Sequence, residues 1–153
     1  MNSSGPAIVS LRGVGKTFDS GTVALDKFNF DVRDGEFVSL LGPSGCGKST
    51  ALRIIAGLSA PSRGSVQWSI GEDTSAGQLG FVFQEPTLMP WATVAANVGL
   101  PFKLSHVEEP DARDYTARAL ERVGLQAFAG AYPRELSGGM KMRVSIARAL
   151  VTE

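Results

Sequence analysis

The run Gly42-Pro43-Ser44-Gly45-Cys46-Gly47-Lys48-Ser49-Thr50 constrains this chain more than any other segment. It satisfies G-x-x-x-x-G-K-[ST], the pattern of a loop whose backbone N–H groups turn inward around a polyphosphate. Glycines permit that turn, and a helix beginning at Lys48 aims the positive end of its dipole at the anion. The Lys48 ammonium can reach the β- and γ-phosphates, and the Ser49 hydroxyl can take one position on Mg²⁺. Both flanks agree with the motif. Phe37-Val38-Ser39-Leu40-Leu41 reads as a strand covered on both faces. From Lys48 to about Leu58, residues Leu52, Ile55 and Ala56 mark one face of a helix. A glycine-rich turn arising by chance is the alternative, and the matched flanks argue against it. Cys46 is either a small filler of the loop or a thiol activated by the helix N-terminus.

Elsewhere the pattern is mixed α and β. Ile8–Leu11 reads as a strand, Thr17–Thr22 as a turn, and Val23–Val32 alternates with the period of two of a half-buried strand. Asp34-Gly35 signals a tight turn before the next apolar run. Pro61 closes the region after the first helix; Ser65–Ile70 and Leu79–Phe83 are short strands. The stretch Glu85–Pro110 is proline-rich and irregular, with a short helix expected over Thr93–Val98. Asp111 suits the N-cap of a helix reaching Val123, with Tyr115, Ala119, Leu120 and Val123 on one face and Gly124 as its C-terminal stop. A last helix runs from Gly138 or Gly139 to Val151, with Met140, Val144, Ala147 and Val151 in one stripe.

Charge and composition remove several function classes. Fifteen basic residues balance fifteen acidic ones, so no basic arm for nucleic acid and no acidic tail exists. Apolar runs fall far short of the roughly 20 residues of a membrane span. Met1–Pro6 has neither the basic nor the apolar region of a signal peptide. A single cysteine excludes an intramolecular disulfide and fits a reducing compartment. A cytosolic globular chain is the expectation.

A second motif narrows the reading. Leu136-Ser137-Gly138-Gly139-Met140 lies some ninety residues after the phosphate loop and opens the final helix. Two glycines at a helix start expose N–H groups and let a phosphate approach, and Ser137 adds a hydroxyl. Taken alone, it is also an ordinary serine cap with flexible glycines. With Val144-Ser145-Ile146-Ala147-Arg148-Ala149-Leu150 continuing it, the segment resembles the signature sequence of the ABC-transporter ATPases.

The resemblance implies an α/β P-loop NTPase fold of the ABC ATPase type. Residues 1–84 would form the β subdomain and P-loop core, 85–138 the helical subdomain, and 139–153 the signature helix. It implies that Gly42, Pro43, Ser44, Gly45, Cys46, Gly47, Lys48, Ser49 and Thr50 hold ATP, with Ser49 and Gln84 toward Mg²⁺. Phe81-Val82-Phe83-Gln84 matches the family's Q-loop, in which Gln84 senses the γ-phosphate and metal; alone, Gln84 is also an ordinary polar residue at a strand end. Phe18 lies where the family stacks an aromatic on adenine, and an aromatic there is, taken alone, more often simply a core or edge residue. Ser137, Gly138 and Gly139 would close on the ATP of a second ATP-binding subunit in a head-to-tail dimer. Transmembrane permease subunits would be the other partners, which puts the chain in the cytoplasm, peripheral on the inner face of the cell membrane.

Gln84–Trp91, and Met140 where the family more often has glutamine, look most like importers of nitrate, sulfonate and taurine. Leu88, Met89 and Trp91 are either a docking surface for a permease helix or local packing. The resemblance runs from about Val9 to Glu153. The family's Walker B strand, D-loop and switch histidine come after that point, so the C-terminal part of the core is expected to be missing from these residues. His106, Asp26 and Glu85 are weak substitutes by position. Weak ATP binding at most, with little turnover, is therefore the expectation, and a non-catalytic nucleotide-binding or docking module is the alternative.

Overall fold

Alternating apolar residues in the first thirty-odd positions build two long antiparallel strands. The computed structural model describes residues 6–69, 79–105 and 109–152. Strand β1 spans Ala7–Thr17 and β2 spans Val23–Arg33, joined by the expected turn; β3, Arg63–Trp68, pairs with the other edge of β1. Strand β1 therefore continues well beyond Leu11. Its inward residues are Val9, Leu11 and Val14, and the break in their period coincides with a register shift between Leu11 and Val14. A bulge of this kind moves one residue out of phase, so strict alternation ends while the strand does not. The Asn29 side chain accepts from the Gly13 N–H at 2.8 Å beside the bulge.

Helix α1 covers Lys48–Ile55 and packs Ala51 and Ile54 against Val9, Leu11, Val14 and Leu25. Two expectations need correction here. The helix stops short of Leu58, because Gly57 takes a φ of 69° and the Gly57 and Leu58 N–H groups bond back to Ile54 and Arg53. That left-handed closure is a common helix end. The buried face is centred on Ala51 and Ile54, and Leu52 is left exposed. Strand β3 is likewise shifted to Arg63–Trp68, and Ile70 lies outside the described residues.

The largest departure is Phe37–Leu41. Its composition predicts a strand covered on both faces, yet it joins no ladder among the described residues, and Phe37 and Leu41 are 93% and 91% exposed. Leu79–Phe83 also carries no ladder among them. The physical reason is shared: an apolar run becomes a buried strand only when neighbouring strands satisfy its backbone and cover its faces. The three-stranded sheet here is antiparallel and uses neither run.

The chain forms two compact units, Met1–Gly77 and Gln78–Glu153. The second is helical: α2 (Val94–Val98), α3 (Leu100–Leu104), α4 (Glu109–Arg122), two 3₁₀ turns, and α5 (Gly138–Leu150). Val94, Val98, Phe102, Leu120, Leu136 and Val144 are among its buried core. The expected stripe of α5 is present, with Val144, Ala147 and Val151 buried and Met140 packed beside them. Helix α4 begins at Glu109, so Asp111 sits in its first turn and not at its cap. On its apolar face Ala119 and Leu120 are buried, while Tyr115 is 44% exposed and meets the Phe102 ring at 5.7 Å. His106 lies outside the described residues.

Each unit holds one tryptophan, Trp68 in the first and Trp91 in the second. Leu120→Ala opens a cavity in the helical core and costs about 2–5 kcal/mol. With Trp68→Phe as background, the expected result is a lower urea midpoint at Trp91. With Trp91→Phe as background, the Trp68 transition is expected to stay in place, because the described core of the sheet unit is built from Val9, Leu11, Val14, Leu25, Ala51 and Ile54 of that unit.

Candidate functional site

Gly47 shapes the phosphate loop where it enters α1. It is the N-cap of the helix with a φ of 95°, and a Cβ there would run into the Ala24 carbonyl and come within 2.9 Å of the Leu25 side chain. Only glycine joins that backbone angle to so close an approach to β2. Lys48 then folds back over its own loop. Its ammonium donates to the carbonyls of Gly42 at 2.8 Å and Pro43 at 2.7 Å, and lies 3.4 Å from the Cys46 Sγ. Gly42–Cys46 and Ser49 are exposed, and Gly47, Lys48 and Thr50 are half-buried. The loop is thus an open hook, with the cation on its inside edge and the first N–H groups of α1 behind it.

That donor set suits a polyphosphate. The carbonyls holding Lys48 are neutral, so an anion would gain the full charge of the ammonium, and charge-assisted bonds are roughly twice as strong as neutral ones. A hydroxyl at Ser49 beside phosphate oxygens is the hard-oxygen environment Mg²⁺ favours. Phe18, in the same unit, follows the end of β1 and is 45% exposed; its ring carries the Lys16 ammonium 5.6 Å from its centroid.

In the second unit Ser137 caps α5: its hydroxyl accepts from the Met140 N–H at 3.3 Å, and its carbonyl accepts from Lys141 at 3.0 Å. Ser137, Gly138 and Gly139 are all exposed, and the first-turn N–H groups have no partner within the helix. Gln84 is exposed at a bend just after Phe81 and Phe83, whose rings meet edge to face at 4.7 Å. Of the apolar loop residues, Leu88 packs against the helical core while Trp91 is 76% exposed. The weak substitutes fare differently. Asp26 is paired with Arg63, Glu85 is exposed, and His106 is not among the described residues.

Two residues that sequence reasoning passes over organise the loop after Gln84. Asn97 is fully buried, and its amide accepts from Met89 N–H at 2.7 Å and donates toward the carbonyls of Met89, Ala92 and Thr93 at 3.0–3.1 Å. The available signal is a lone amide in the apolar run Val94-Ala95-Ala96-Asn97-Val98, on the buried face of a helix. Arg148, in the last turn of α5, donates to the Thr87 carbonyl at 2.8 Å and to its hydroxyl at 3.0 Å. Burial pushes its guanidinium below the ordinary arginine range.

The chain matches the model of a family described as "ABC transporter" over residues 25–153. It is 50% identical over 144 residues to the aliphatic sulfonates import ATP-binding protein SsuB 1 of Pseudomonas syringae pv. syringae (strain B728a), covering 94% of this chain and 56% of that one. The aliphatic sulfonates import ATP-binding protein SsuB of Rhodopseudomonas palustris is 44% identical over 144 residues, with 94% and 50% covered. This chain therefore spans about half the length of the curated relatives it matches. Among solved structures, the dimeric ATP-binding cassette MJ0796 in a post-hydrolysis state bound to ADP and Pi superposes with a TM-score of 0.83. Identity to it is 37%, covering 94% of this chain and 69% of that one.

Asn97→Ala leaves the part-buried Met89 N–H and the Ala92 carbonyl without this partner, while the Met89 and Thr93 carbonyls keep the N–H groups of Ala92 and Asn97. A loss of about 2–4 kcal/mol is expected in the helical unit, given roughly 1–3 kcal/mol for each group left unsatisfied. Urea unfolding followed at Trp91 measures it.

Proposed function

Because this chain belongs to the ABC transporter family, we propose that it is the nucleotide-holding portion of an ATP-binding subunit of an importer. The observation that carries the reading is the hook of Gly42–Gly47 with the Lys48 ammonium held inside it by the Gly42 and Pro43 carbonyls. On this reading ATP lies with its β- and γ-phosphates against Lys48 and the α1 N-terminus. Residues 42–50 wrap the phosphates, and Phe18 stacks on the adenine. Ser49 and Gln84 would hold Mg²⁺, which would supply positive charge to neutralise the phosphates. Ser137, Gly138 and Gly139 offer a hydroxyl and free N–H groups to the ATP of a second subunit, and the relative solved as a dimer supports such pairing.

The relatives named above, both aliphatic sulfonates import ATP-binding proteins, support an aliphatic sulfonate or similar small anion as the transported class. Coupling to transmembrane permease subunits, at the inner face of the membrane, follows from the same reading. Among the described residues no helix is long and apolar enough to cross a membrane. The boundaries 1–84, 85–138 and 139–153 remain our proposal for the functional segments.

Turnover needs a carboxylate to polarise the attacking water, and the residues proposed to touch the nucleotide bring none. The 153 residues by themselves are therefore proposed to bind ATP with little hydrolysis.

Calorimetric titration of the purified chain with ATP, with and without Mg²⁺, tests the reading. Lys48→Ala is expected to weaken binding tenfold or more, and Ser49→Ala to remove the gain that Mg²⁺ gives. Alkylation of Cys46, which is exposed beside Lys48, is expected to block binding, and bound ATP to protect the thiol. Undiminished binding by Lys48→Ala would sink the proposal. Robust phosphate release that vanishes in Lys48→Ala would overturn the expectation of little turnover.

A further inference from the structure

Gln84 makes its turn between two contacts with the same end of one helix. Before it, Gly80 lies so close to the last turn of α5 that a Cβ there would sit 2.7 Å from the Ala149 carbonyl oxygen and 3.3 Å from the Ala149 Cβ. After it, Thr87 receives both prongs of the Arg148 guanidinium, one on its carbonyl and one on its hydroxyl. Arg148 and Ala149 are consecutive residues, so one helical turn grips both flanks of the stretch from Gly80 to Thr87.

The Arg148 contact is costly to maintain. A half-buried guanidinium gives up water, and the two oxygens it gains belong to a neutral residue, with no carboxylate among these partners. Packing alone would be served by an apolar side chain, as at the neighbouring buried positions Val144, Ala147 and Val151. What a guanidinium adds is a planar fork that fixes direction as well as distance. Farther along, the Asn97 amide and the packing of Leu88 hold the loop to the rest of the helical unit.

We propose that the last turn of α5 positions Gln84, with Arg148 as the positioning residue and Gly80 as the backbone seat. A displacement of the signature helix would then carry Gln84 and Trp91 with it as one piece. The proposal rests on the functional reading above only in giving Gln84 and the Ser137–Gly139 end a nucleotide to meet. The arrangement itself needs no ligand.

The test uses the full chain with Trp68→Phe, leaving Trp91 as the reporter, and follows amide exchange at Gln84, Leu88 and Ala92. Arg148→Ala is expected to speed exchange at these amides about tenfold and to increase acrylamide quenching of Trp91, with exchange in the middle of α5 unchanged. Arg148→Lys, which keeps one donor, should recover part of the protection. Thr87→Ser should match the parent, and Thr87→Val, which keeps only the carbonyl acceptor, should fall between parent and Arg148→Ala. Gly80→Ala should loosen Gln84 from the opposite flank.

If Arg148→Ala leaves these amides unchanged, or speeds exchange equally throughout α4 and α5, the positioning role is wrong and Arg148 serves only the fold. Should Arg148→Ala fail to fold, Thr87→Val and Thr87→Ser decide the matter, since neither alters α5; equal exchange in those two would also refute the proposal. ATP titration of the same variants is read separately. A chain that never binds ATP would defeat the functional reading and leave these exchange results standing.

Discussion

The contact between the Lys48 ammonium and the carbonyls of Gly42 and Pro43 is the point on which the shape of the glycine-rich loop depends. It closes a loop whose few apolar side chains, Pro43 and Cys46, are exposed, and ties it to the first turn of a helix that packs into the core. Ala51 and Ile54, one turn further on, insert that helix into the sheet core beside Leu11 and Val14. The chain of consequence is short. The sheet fixes the helix, the helix fixes Lys48, and Lys48 fixes the loop. Gly47 is the hinge of that sequence, since its backbone angle and its approach to Ala24 both exclude a side chain.

The helical unit meets a different problem with the same means. The stretch from Gln84 to Thr93 has little regular hydrogen bonding, so side chains must supply what secondary structure does not. Asn97 does so from α2 and Arg148 from α5. Each sits on an element whose apolar stripe is already buried, and each reaches from there to irregular backbone. The result is a loop held firmly enough to present Gln84 and Trp91 in defined places.

The phosphate loop, the cap at Ser137 and the stripe of α5 are all legible in the sequence. Each depends on interactions within a few residues, such as a helix start, a hydroxyl three positions from an N–H, or a period of 3.6. Phe37–Leu41 misleads for the opposite reason. Its composition describes an environment made by other strands, and composition alone cannot say whether they are present. Strand β1 reads as too short because its bulge breaks the period that signals a strand. Asn97 escapes notice because its partners are backbone atoms, and Arg148 because it reaches across 61 residues to a carbonyl and a neutral hydroxyl that no local pattern records.

On the proposed reading, the cap at the start of α5 sets local stability against ligand recognition. Ser137 accepts the Met140 N–H through an oxygen lone pair, which leaves its hydroxyl hydrogen free to point outward. An aspartate would cap the helix at least as well and would favour the dipole, but it would place negative charge where the two exposed glycines open the backbone to an anion. A screen for thermal tolerance would therefore drift toward acid at this position, whereas a screen for phosphate affinity would hold it at serine. Neutrality at the cap is a trait that stability measurements alone would misjudge as a flaw.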